Sequence, residues 1–485
     1  MPLISDETPD NKIPLVVDLD GTLIKTDLLW EFFLRLLKKN ILWLVPALAW
    51  WTRGRAYLKQ QLAARVTIDP ATLPFNEKFI AWLREQKSAG RKIILATASD
   101  LRMAKPVADY TGLFDEVLAS DGKTNLRSGN KLKALVAKFG ERGFDYAGNS
   151  SADLAVWRGA REAIVVNASP SLAGKAAASA KVGRIFDRDS SMLRAFIRSL
   201  RPHQWVKNLI VFVPALAAHK MGDTSLLLRD VFAFATFCLC ASGVYILNDL
   251  VDLDFDRQHP TKKSRPFASG NLPLPAGLIC APLFLAGGIL LAAQLSWHLA
   301  EVAMAYVLLT TSYSWWIKRV ALLDVFLLAG LYTIRLVAGH AVTGIVYSSW
   351  LLMFSMFIFL SLALVKRYVE LADAKETDSD NITPAGRGYV ARDLELVASL
   401  GTGCGYLAAL VLALYVNSQQ VVILYEHPNL LLLICPLLLY WISRVWLLAH
   451  RGRMHDDPVL FAVKDATSYI IGVLALVVLW LGAGH

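Results

Sequence analysis

Residues 248–266 have the sequence Asn-Asp-Leu-Val-Asp-Leu-Asp-Phe-Asp-Arg-Gln-His-Pro-Thr-Lys-Lys-Ser-Arg-Pro and follow a long apolar segment. Asp249, Asp252 and Asp256 are spaced i, i+3 and i+7, so they lie on one face if the preceding helix continues. Carboxylates at the end of a membrane helix are costly unless they are paired, and Mg²⁺ prefers hard oxygen ligands that substrate phosphates complete. The cations that would hold the outer phosphate oxygens follow at Arg257, Lys262, Lys263 and Arg265. The stretch predicts a magnesium diphosphate site at a membrane surface.

The composition divides the chain into a polar part and an apolar part. Hydrophobic residues are 55% of the 485 residues and the mean hydropathy is +0.43, which is too apolar for a soluble protein. The net charge of +10 does not indicate a nucleic-acid partner, because the cations lie in short loops between apolar segments. We predict a soluble α/β domain at 1–190, an amphipathic linker at 191–204 and an all-α membrane domain at 205–485. The polar residues 1–12 predict no cleavable signal peptide.

Apolar segments recur from about residue 205 onward and predict a polytopic helical bundle. Most approach the roughly 20 residues that cross a bilayer. They lie at 209–219, 228–247, 274–293, 299–316, 321–343, 347–365, 394–416, 429–448 and 467–484. With nine crossings, the loops on the side of residues 248–266 carry Lys318, Arg319, Lys366, Arg367, Lys375, Arg387, Arg392, Arg451, Arg453 and Lys464. By the positive-inside rule this side and the N-terminal domain are cytoplasmic, as in an inner or plasma membrane protein of a bacterium.

Several polar residues fall within or beside these apolar segments. They are Lys207, Asn208, Asp324, Arg335, Lys366, Arg367, Glu370 and Asp373. A charged side chain inside a membrane bundle is a functional candidate by default. The alternative is that each residue anchors a helix end with its charge at the interface. For the aspartates between 249 and 256, the alternative is a solvated helix end without metal.

The pattern Asn248-Asp249-x-x-Asp252-x-x-x-Asp256 resembles the first aspartate-rich motif of the UbiA superfamily of intramembrane prenyltransferases. The resemblance covers residues 198–485 and implies nine helices, cytoplasmic motif loops and Mg²⁺ as cofactor. The prenyltransferases of this superfamily carry a second motif, Asp-x-x-x-Asp, after the sixth helix. Here residues 366–373 are Lys-Arg-Tyr-Val-Glu-Leu-Ala-Asp instead, and Glu376, Asp378 and Asp380 follow in a polar loop.

That difference, together with Arg201-Pro202-x-Gln204-Trp205-x-Lys207-Asn208, resembles the branch that contains decaprenyl-phosphate phosphoribosyltransferase. The branch implies transfer of a 5-phosphoribosyl group from phosphoribosyl pyrophosphate to a long-chain polyprenyl phosphate, with release of diphosphate. An aromatic or quinone prenyltransferase that uses prenyl diphosphate is the first alternative. A transporter is the second, but it would place its carboxylates on broken helices at mid-membrane. The polyprenol length and a homo-oligomeric state stay open.

The resemblance also assigns candidate site residues. Asp249, Asp252 and Asp256 would hold magnesium, and Asn248 would position the first carboxylate or a metal-bound water. The predicted substrate-binding residues are Lys207, Asn208, Asn248, Arg257, Lys262, Arg265, Arg335, Lys366, Arg367 and Glu370. The cations among them that precede residue 266 would contact the donor's phosphates. Lys366, Arg367 and Glu370 would form the opposite wall of the site.

A second set of motifs lies in the first 160 residues. The apolar strand at residues 14–17 ends in Asp18-Leu-Asp20-Gly21-Thr-Leu, and carboxylates after a central strand lie where open α/β sheets bind ligands. This sequence resembles the first motif of the haloacid dehalogenase superfamily of phosphohydrolases. The resemblance implies that Asp18 is the nucleophile that forms an aspartyl phosphate and that Asp20 is the general acid and base.

The remaining motifs of that superfamily follow in order. Thr97 ends a second strand and would hold the transferring phosphate, and Lys131 would be the phosphate-binding lysine. In residues 146–153, Tyr-Ala-Gly-Asn-Ser-Ser-Ala-Asp, Asn149 stands where the family usually places an aspartate that binds magnesium. The predicted metal ligands are Asp18, Asp20, Asn149 and Asp153. A carboxamide oxygen is a weaker ligand than a carboxylate, so an active phosphatase and a domain without activity both stay open.

Residues 28–90, between the first two motifs, are predicted to form a helical cap. Residues 28–51 are apolar and aromatic but contain Arg35, Lys38 and Lys39, which favours helices that lie against the bilayer surface. A crossing there would also place the two sets of motifs on opposite sides of the membrane. The fusion predicts two successive reactions, in which the phosphatase removes the 5-phosphate from the lipid-linked product and leaves polyprenyl-phosphoryl ribose.

Overall fold

The computed structural model describes residues 13–120, 125–376, 388–454 and 457–483. These residues divide into two compact units. The first contains the residues up to Leu200 together with Tyr245–Cys280, and the second contains Arg201–Val244 and the residues from Ala281 onward. The segment with the aspartates 249–256 therefore belongs to the same unit as the N-terminal domain. The domain boundaries at 190 and 205 stay a prediction.

A six-stranded parallel sheet lies at the centre of the first unit. Its strands are β1 (Leu15–Val17), β2 (Ile93–Asp100), β3 (Glu116–Ser120), β4 (Asp145–Gly148), β5 (Ala163–Val166) and β6 (Val182–Phe186). They are ordered β3-β2-β1-β4-β5-β6, and every neighbouring pair is parallel. The strand order reverses around β1, so its carboxyl end lies at the switch point where open α/β sheets bind ligands. The α/β prediction for the N-terminal domain is confirmed.

Helices cover both faces of this sheet. They are α1 (Leu28–Lys39), α2 (Leu44–Thr52), α3 (Arg55–Ala63), α4 (Glu77–Ser88), α5 (Leu101–Thr111), α6 (Gly129–Phe139), α7 (Leu154–Gly159), α8 (Pro170–Ser179) and α9 (Met192–Leu200). Leu15 and Val17 of β1 pack with α1, α3, α4 and α5, whereas Val16 packs with α6, α7 and α8. Successive side chains of a strand point to opposite faces, so β1 contributes to both cores.

The predicted cap region contains α1 to α4. Asp27 caps α1 by accepting the backbone N–H of Leu29 at 2.8 Å, and Lys38 and Lys39 lie in its last turn, where cations are favoured. The apolar side chains between α1 and the end of α2 are largely exposed, as for Leu42 and Val45, which are each 71% exposed. Contact of this surface with a bilayer stays a prediction.

The remaining described residues are mainly helical, as predicted. Its helices are α10 (Val213–Ala217), α11 (Thr224–Val251), α12 (Leu253–Gln258), α13 (Leu274–Leu295), α14 (Trp297–Trp315), α15 (Leu323–Thr343), α16 (Ser349–Glu376), α17 (Leu394–Val416), α18 (Gln419–Leu424), α19 (Ile434–His450), α20 (Pro458–Lys464) and α21 (Ala466–Gly482). Among the described residues, six helical segments are long and apolar enough to cross a membrane. The segments are Thr224–Val251, Leu274–Leu295, Leu323–Thr343, Ser349–Asp373, Ala391–Val416 and Pro428–His450. A seventh is possible if α20 and α21, which are bent by 80°, count as one span.

The prediction of nine spans is not confirmed. Residues 209–219 form the end of a 3₁₀ helix, Pro202–Phe212, and the five-residue helix α10. Proline lacks the N–H that a continuous α-helix needs, and Pro214 lies at the start of α10, so no long helix forms there. The segment predicted at 299–316 forms α14, whose 19 residues include His298 and Glu301 and are less apolar than the six spans.

Small residues bring helices of the second unit together. A Cβ atom at Gly401 of α17 would lie 2.1 Å from Cζ2 of Trp446, and one at Gly405 would lie 2.5 Å from Cγ2 of Ile442. Both partners lie on α19. Glycines four residues apart share one face of a helix and permit the close packing that membrane helices use.

Candidate active sites

Five residues that the N-terminal motifs predicted line one cavity of about 400 Å³. They are Asp18, Asp20, Lys131, Asn149 and Asp153. The two aspartates follow β1, and the asparagine follows β4, which pairs directly with β1. Because these strands are parallel neighbours, their carboxyl ends bring the residues to the same edge of the sheet.

Lys131 and Tyr146 link two of the carboxylates. Nζ of Lys131 lies 2.8 Å from Oδ1 of Asp18 and 2.8 Å from the hydroxyl oxygen of Tyr146. That hydroxyl donates to Oδ1 of Asp153 at 2.8 Å, and Oδ2 of Asp153 accepts the backbone N–H of Asn149 at 3.0 Å. One buried cation and one phenol thus connect the first motif to the last. Tyr146 was not among the predicted site residues, although it is the first residue of the last motif.

Asp20 and Thr97 are held by neighbouring donors. Asp20 accepts the backbone N–H of Leu28 at 2.9 Å and the hydroxyl of Ser99 at 2.7 Å. Thr97 is fully buried, and its hydroxyl accepts the backbone N–H of Ser99 at 3.0 Å. Among the described residues that line the cavity, Ala98 is present and Thr97 is not. A phosphate contact from Thr97 stays a prediction.

Burial raises the pKa of both Asp18 and Asp20 to about 6. For Asp18 the charge of Lys131 opposes this effect, and for Asp20 the carboxylate of Asp27 adds to it. The two anions are therefore incompletely stabilised, and a cation beside them would stabilise their charged forms. Together with the amide oxygen of Asn149 they are hard oxygen donors, and Mg²⁺ takes one or two carboxylates when a substrate phosphate completes its ligand shell. The residues present fit Mg²⁺.

Gly21 forms the turn between the two aspartates and the cap. Its φ of +78° lies in the left-handed region, where residues with a Cβ are strained. A Cβ at this position would also lie 1.9 Å from Nδ2 of Asn149. The turn thus packs directly against the carboxamide that replaces the expected carboxylate.

Several cations and a distant segment of the chain contribute to the remaining walls of the cavity. The cations that line it, besides Lys131, are Lys25, Arg55, Lys59, Arg127 and Arg188. A further wall consists of Gly270, Asn271, Pro273, Leu274 and Pro275, which lie before and at the start of α13. This cavity therefore combines residues of the N-terminal domain with the first residues of a helix that is long enough to cross a membrane.

The aspartate-rich motif lies where α11 ends and α12 begins. The backbone N–H of Asp252 donates to the carbonyl of Asn248 at 2.8 Å, and that of Asp256 donates to the carbonyl of Asp252 at 2.9 Å. These bonds continue the helical path across the junction, so the one-face arrangement of the aspartates is supported. Asp249 and Asp256 are each 2% exposed, and NH1 of Arg265 lies 3.2 and 2.7 Å from their carboxylates.

Two carboxylates of this motif therefore converge on one cation. Among the described residues, no group of three or more His, Cys, Asp or Glu side chains is arranged to hold a metal ion. Two carboxylates are sufficient for Mg²⁺ when substrate phosphates supply further ligands, so the motif fits Mg²⁺. Without such a ligand, the guanidinium of Arg265 supplies the positive charge between Asp249 and Asp256.

The other cations of this loop are placed differently. Arg257, predicted to contact the donor's phosphates, pairs with Glu31 of α1 through two contacts of 2.6 and 3.0 Å. Its Nε also donates to the carbonyl of Ala268 at 3.1 Å. Lys262 is exposed in a short 3₁₀ turn. Of the predicted phosphate ligands in this segment, Arg265 contacts the aspartates.

In the second unit, an aspartate brings two predicted lysines together. Nζ of Lys207 lies 2.8 Å from Oδ2 of Asp457, and Nζ of Lys366 lies 3.5 Å from the same atom. Asp457 also caps α20 by accepting the backbone N–H of Val459 at 3.1 Å. The role of Asp457 was not predicted from the sequence, because Asp followed by Pro is a common helix start and gives no sign of a distant partner.

Arg335 and Asn208 also contact each other. Nε of Arg335 donates to Oδ1 of Asn208 at 2.8 Å, and its NH2 group donates to the hydroxyl of Tyr306 at 3.3 Å. The guanidinium further lies 5.0 Å from the ring centroid of Tyr306 and 5.6 Å from that of Tyr332. Both residues are buried. A buried arginine with hydrogen-bond and aromatic partners is held in one orientation.

Arg367 and Glu370 form a buried ion-pair network. Nε of Arg367 lies 2.7 Å from Oδ2 of Asp324, and its NH1 group pairs with Glu370. Tyr389 donates to the other oxygen of Asp324 at 2.6 Å. Arg367 is 1% exposed, so its charge stabilises the two acids around it. The carboxylate of Glu370 is thus already paired with a cation.

Some of the predicted residues are not part of the described structure. Asp378, Asp380 and Arg387 lie outside the described residues, as do the side chains of Lys375 and Glu376. The polar residues 1–12, which predicted the absence of a signal peptide, also lie outside them.

Two family models match the chain. That of the UbiA prenyltransferase family matches residues 208–467, which is more than half of the chain. That of haloacid dehalogenase-like hydrolases matches residues 15–158. Each match coincides with one set of motifs.

Three curated relatives match at 33 to 38% identity. An uncharacterised protein of Sinorhizobium fredii, y4nM, is 38% identical over 468 residues, which are 96% of this chain and 90% of that protein. Nodulation protein NoeC of Azorhizobium caulinodans is 37% identical over 57% of this chain and 89% of its own length. The decaprenyl-phosphate phosphoribosyltransferase of Mycolicibacterium smegmatis is 33% identical over 43% of this chain and 67% of its own length.

Proposed function

Because the chain belongs to the UbiA prenyltransferase family and is an integral membrane protein, we propose that its membrane domain is a polyprenyl-phosphate phosphoribosyltransferase. It transfers a 5-phosphoribosyl group from phosphoribosyl pyrophosphate to a long-chain polyprenyl phosphate. The fused haloacid dehalogenase-like domain then removes the 5-phosphate. The observation that carries the proposal is the convergence of Asp249 and Asp256 on one cation, in a chain whose relatives include decaprenyl-phosphate phosphoribosyltransferases.

The region after the sixth predicted helix favours phosphoribosyl pyrophosphate over prenyl diphosphate as the donor. A prenyltransferase would need a second acidic site there, whereas Arg367 already neutralises Glu370 and Asp324. Lys366 lies beside Lys207 on the carboxylate of Asp457. The described side chains of this region therefore offer paired cations, and one of its acids, Glu370, is already neutralised by Arg367.

The transfer itself needs one bond to break and one to form. The bond between C1 of the ribose and the diphosphate oxygen breaks, and an oxygen of the polyprenyl phosphate bonds to C1. Asp249, Asp252 and Asp256 would hold Mg²⁺, which would neutralise the diphosphate that leaves. Arg265 and the exposed Lys262 would contact outer phosphate oxygens. Positioning and electrostatic stabilisation supply most of the rate in such a reaction.

The phosphatase step would use the cavity at the end of β1. A carboxylate oxygen of Asp18 attacks the 5-phosphate, and the bond between phosphorus and the ribose oxygen breaks as Asp20 donates a proton to that oxygen. Water, deprotonated by Asp20, then hydrolyses the aspartyl phosphate and releases inorganic phosphate. A lipid-linked substrate is favoured because one wall of the cavity is the start of α13, a helix long enough to cross a membrane.

One experiment tests both steps. The purified chain is incubated with Mg²⁺, a long-chain polyprenyl phosphate and ribose-labelled phosphoribosyl pyrophosphate, and labelled lipids are resolved by mass. We expect labelled polyprenyl-phosphoryl ribose from the unaltered chain and its 5-phosphorylated precursor from Asp18→Asn. Asp249→Ala should give no labelled lipid. Absence of labelled lipid from the unaltered chain contradicts the transferase proposal, and retention of the 5-phosphate contradicts the phosphatase proposal.

The alternative is an aromatic or quinone prenyltransferase, which the name of the matching family favours. In a parallel incubation, prenyl diphosphate and an aromatic acceptor replace the two substrates. Formation of prenylated acceptor without phosphoribosylated lipid would support this alternative. It would contradict the proposal that phosphoribosyl pyrophosphate is the donor.

We further propose that the sites face the cytoplasm of a bacterial cell, in its inner membrane. The proposal rests on the cations of the 248–266 segment itself, which are Arg257, Lys262, Lys263 and Arg265. Lys262→Cys and Met221→Cys, each as a single cysteine at an exposed position, should react differently with a membrane-impermeant reagent in intact cells. The cysteine at 221 should be labelled and the cysteine at 262 should be protected. Labelling at position 262 from outside would contradict the proposed orientation.

A further inference from the structure

A buried acid of the N-terminal domain contacts the segment that carries the aspartate-rich motif. Glu31 lies in α1 and is 0% exposed. Its two carboxylate oxygens contact the guanidinium of Arg257 at 2.6 and 3.0 Å, and one of them also contacts NH1 of Arg35 at 2.6 Å. Arg257 lies in α12, directly after Asp256. Glu31 is not among the described residues that line the phosphatase-like cavity, so neither proposed reaction uses it.

A second set of ion pairs joins the same two helices. Asp254 of α12 pairs with Arg35, and Nζ of Lys38 lies 3.2 Å from its other carboxylate oxygen. Asp254 and Arg257 are three residues apart and therefore share a face of α12. That face contacts α1, while Asp256 contacts Arg265. These contacts with α1 therefore add to the backbone hydrogen bonds from α11 that fix the position of α12.

Glu31 is ionised in this environment. Burial by itself would raise its pKa, but the charges of Arg257 and Arg35 outweigh burial and hold the pKa below its ordinary value. Removing the negative charge of Glu31 would leave the guanidinium groups of Arg257 and Arg35 close together. The side chain of Arg257 is only 5% exposed. An uncompensated buried charge moves toward water or toward another anion, and the segment that carries it moves with it.

We propose that Glu31 is a positioning residue of the transferase, which orients α12 through Arg257 and so places the carboxylates of the aspartate-rich motif. The proposal rests on the proposed transferase function and deepens it. It gives the fused domain a role in phosphoribosyl transfer that does not depend on phosphate hydrolysis. Loss of the nucleophile Asp18 and loss of Glu31 should therefore affect different reactions.

The test compares Glu31→Gln with the unaltered full-length chain in lipid nanodiscs. Transfer is measured over a range of Mg²⁺ concentrations, and hydrolysis is measured with p-nitrophenyl phosphate. We expect transfer at limiting Mg²⁺ to fall about 10- to 100-fold, as when a group that orients metal ligands is removed. The Mg²⁺ concentration for half-maximal transfer should rise, and hydrolysis should be unchanged.

Arg257 variants show whether the effect passes through the ion pair. Arg257→Gln should match Glu31→Gln, and the double variant should be no slower than either single variant, because both remove the same interaction. Arg257→Lys should be intermediate, since it keeps the charge and loses the two-pronged contact. Glu77→Gln, at an exposed acid of α4, is the matched control and should transfer normally.

Hydrogen exchange gives a readout that needs no substrate. Residues 248–266 should exchange faster in Glu31→Gln than in the unaltered chain, while β1 should exchange equally in both. Equal exchange of residues 248–266 in Glu31→Gln and in the unaltered chain overturns the positioning role. Additive effects of Glu31→Gln and Arg257→Gln on transfer also overturn it, as does a loss of hydrolysis as large as the loss of transfer. If the unaltered chain transfers no phosphoribosyl group but residues 248–266 still exchange faster in Glu31→Gln, the proposed function fails and the positioning of the motif stands.

Discussion

Asp18 and Asp20 are held mainly by a lysine, a hydroxyl and a backbone N–H, whereas Asp249 and Asp256 share the guanidinium of Arg265. Both pairs lie in the same compact unit. The first pair lines an open cavity at the edge of a sheet. The second is almost fully buried at a junction between two helices.

The difference shows two ways of building an anionic site. At the edge of a parallel sheet, strand pairing places the carboxylates, so local substitutions should change chemistry more than geometry. At the helix junction, placement depends on long side chains from other segments, including Glu31 and Arg35 of the fused domain. The helix-junction site should therefore respond to substitutions far from it in sequence.

Loss of the nucleophile should give the largest effect. We expect Asp18→Asn to lower hydrolysis of the 5-phosphate about 10⁴-fold, because an amide cannot form the aspartyl phosphate. Transfer should be unchanged if the two sites act independently. Product analysis by mass measures both reactions in one sample. A parallel loss of transfer would contradict the independence of the two sites.

Asp256→Asn should lower phosphoribosyl transfer about 10³-fold, as expected when an electrostatic group at a reacting centre is lost. It removes a carboxylate at the helix junction, and its partner Arg265 would remain with Asp249 alone. Initial rates at saturating substrates measure the effect. Asp223→Asn, at an exposed acid before α11, is the control and should transfer normally. Normal transfer in Asp256→Asn would exclude this carboxylate from the transferase site.

Tyr146→Phe should lower hydrolysis roughly 10-fold to 30-fold, in the range seen when a residue that orients a ligand or a phosphate-binding group is lost. The hydroxyl connects Lys131 to Asp153, and phenylalanine keeps the packing without that connection. The pseudo-first-order rate with a 5-phosphorylated lipid measures the change. An unaltered rate would show that Lys131 and Asp153 act without the phenol between them.

Asn149→Asp should give the smallest change in rate, and this change should be an increase in hydrolysis. Replacing the carboxamide with a carboxylate strengthens a ligand for Mg²⁺, so hydrolysis should rise about tenfold and need less Mg²⁺. The side chains are nearly isosteric, so the close contact with Gly21 is kept. Hydrolysis measured against Mg²⁺ concentration reports both effects. A fall in activity would show that the site requires the neutral amide.

Much of the first site could be predicted from the sequence. Asp18, Lys131 and Asp153 belong to short motifs that follow predicted strands, and strand order brings such motifs together whatever lies between them. The one-face spacing of Asp249, Asp252 and Asp256 was equally predictable, since it depends only on a helix that continues. The count of nine spans is not confirmed, because apolar length does not show where Pro214 interrupts a helix.

Both sets of motifs, the α/β and helical classes of the two parts and the shared face of the aspartates could be inferred from the sequence alone. Which charges neutralise one another depends on the tertiary fold. Arg257 pairs with Glu31 across 226 residues, and Lys207 pairs with Asp457 across 250 residues. Local periodicity and motif spacing depend on neighbours within a few turns, whereas an ion pair depends on where folding brings two distant segments. No pattern near Arg257 could therefore show that its partner is an acid of the fused domain.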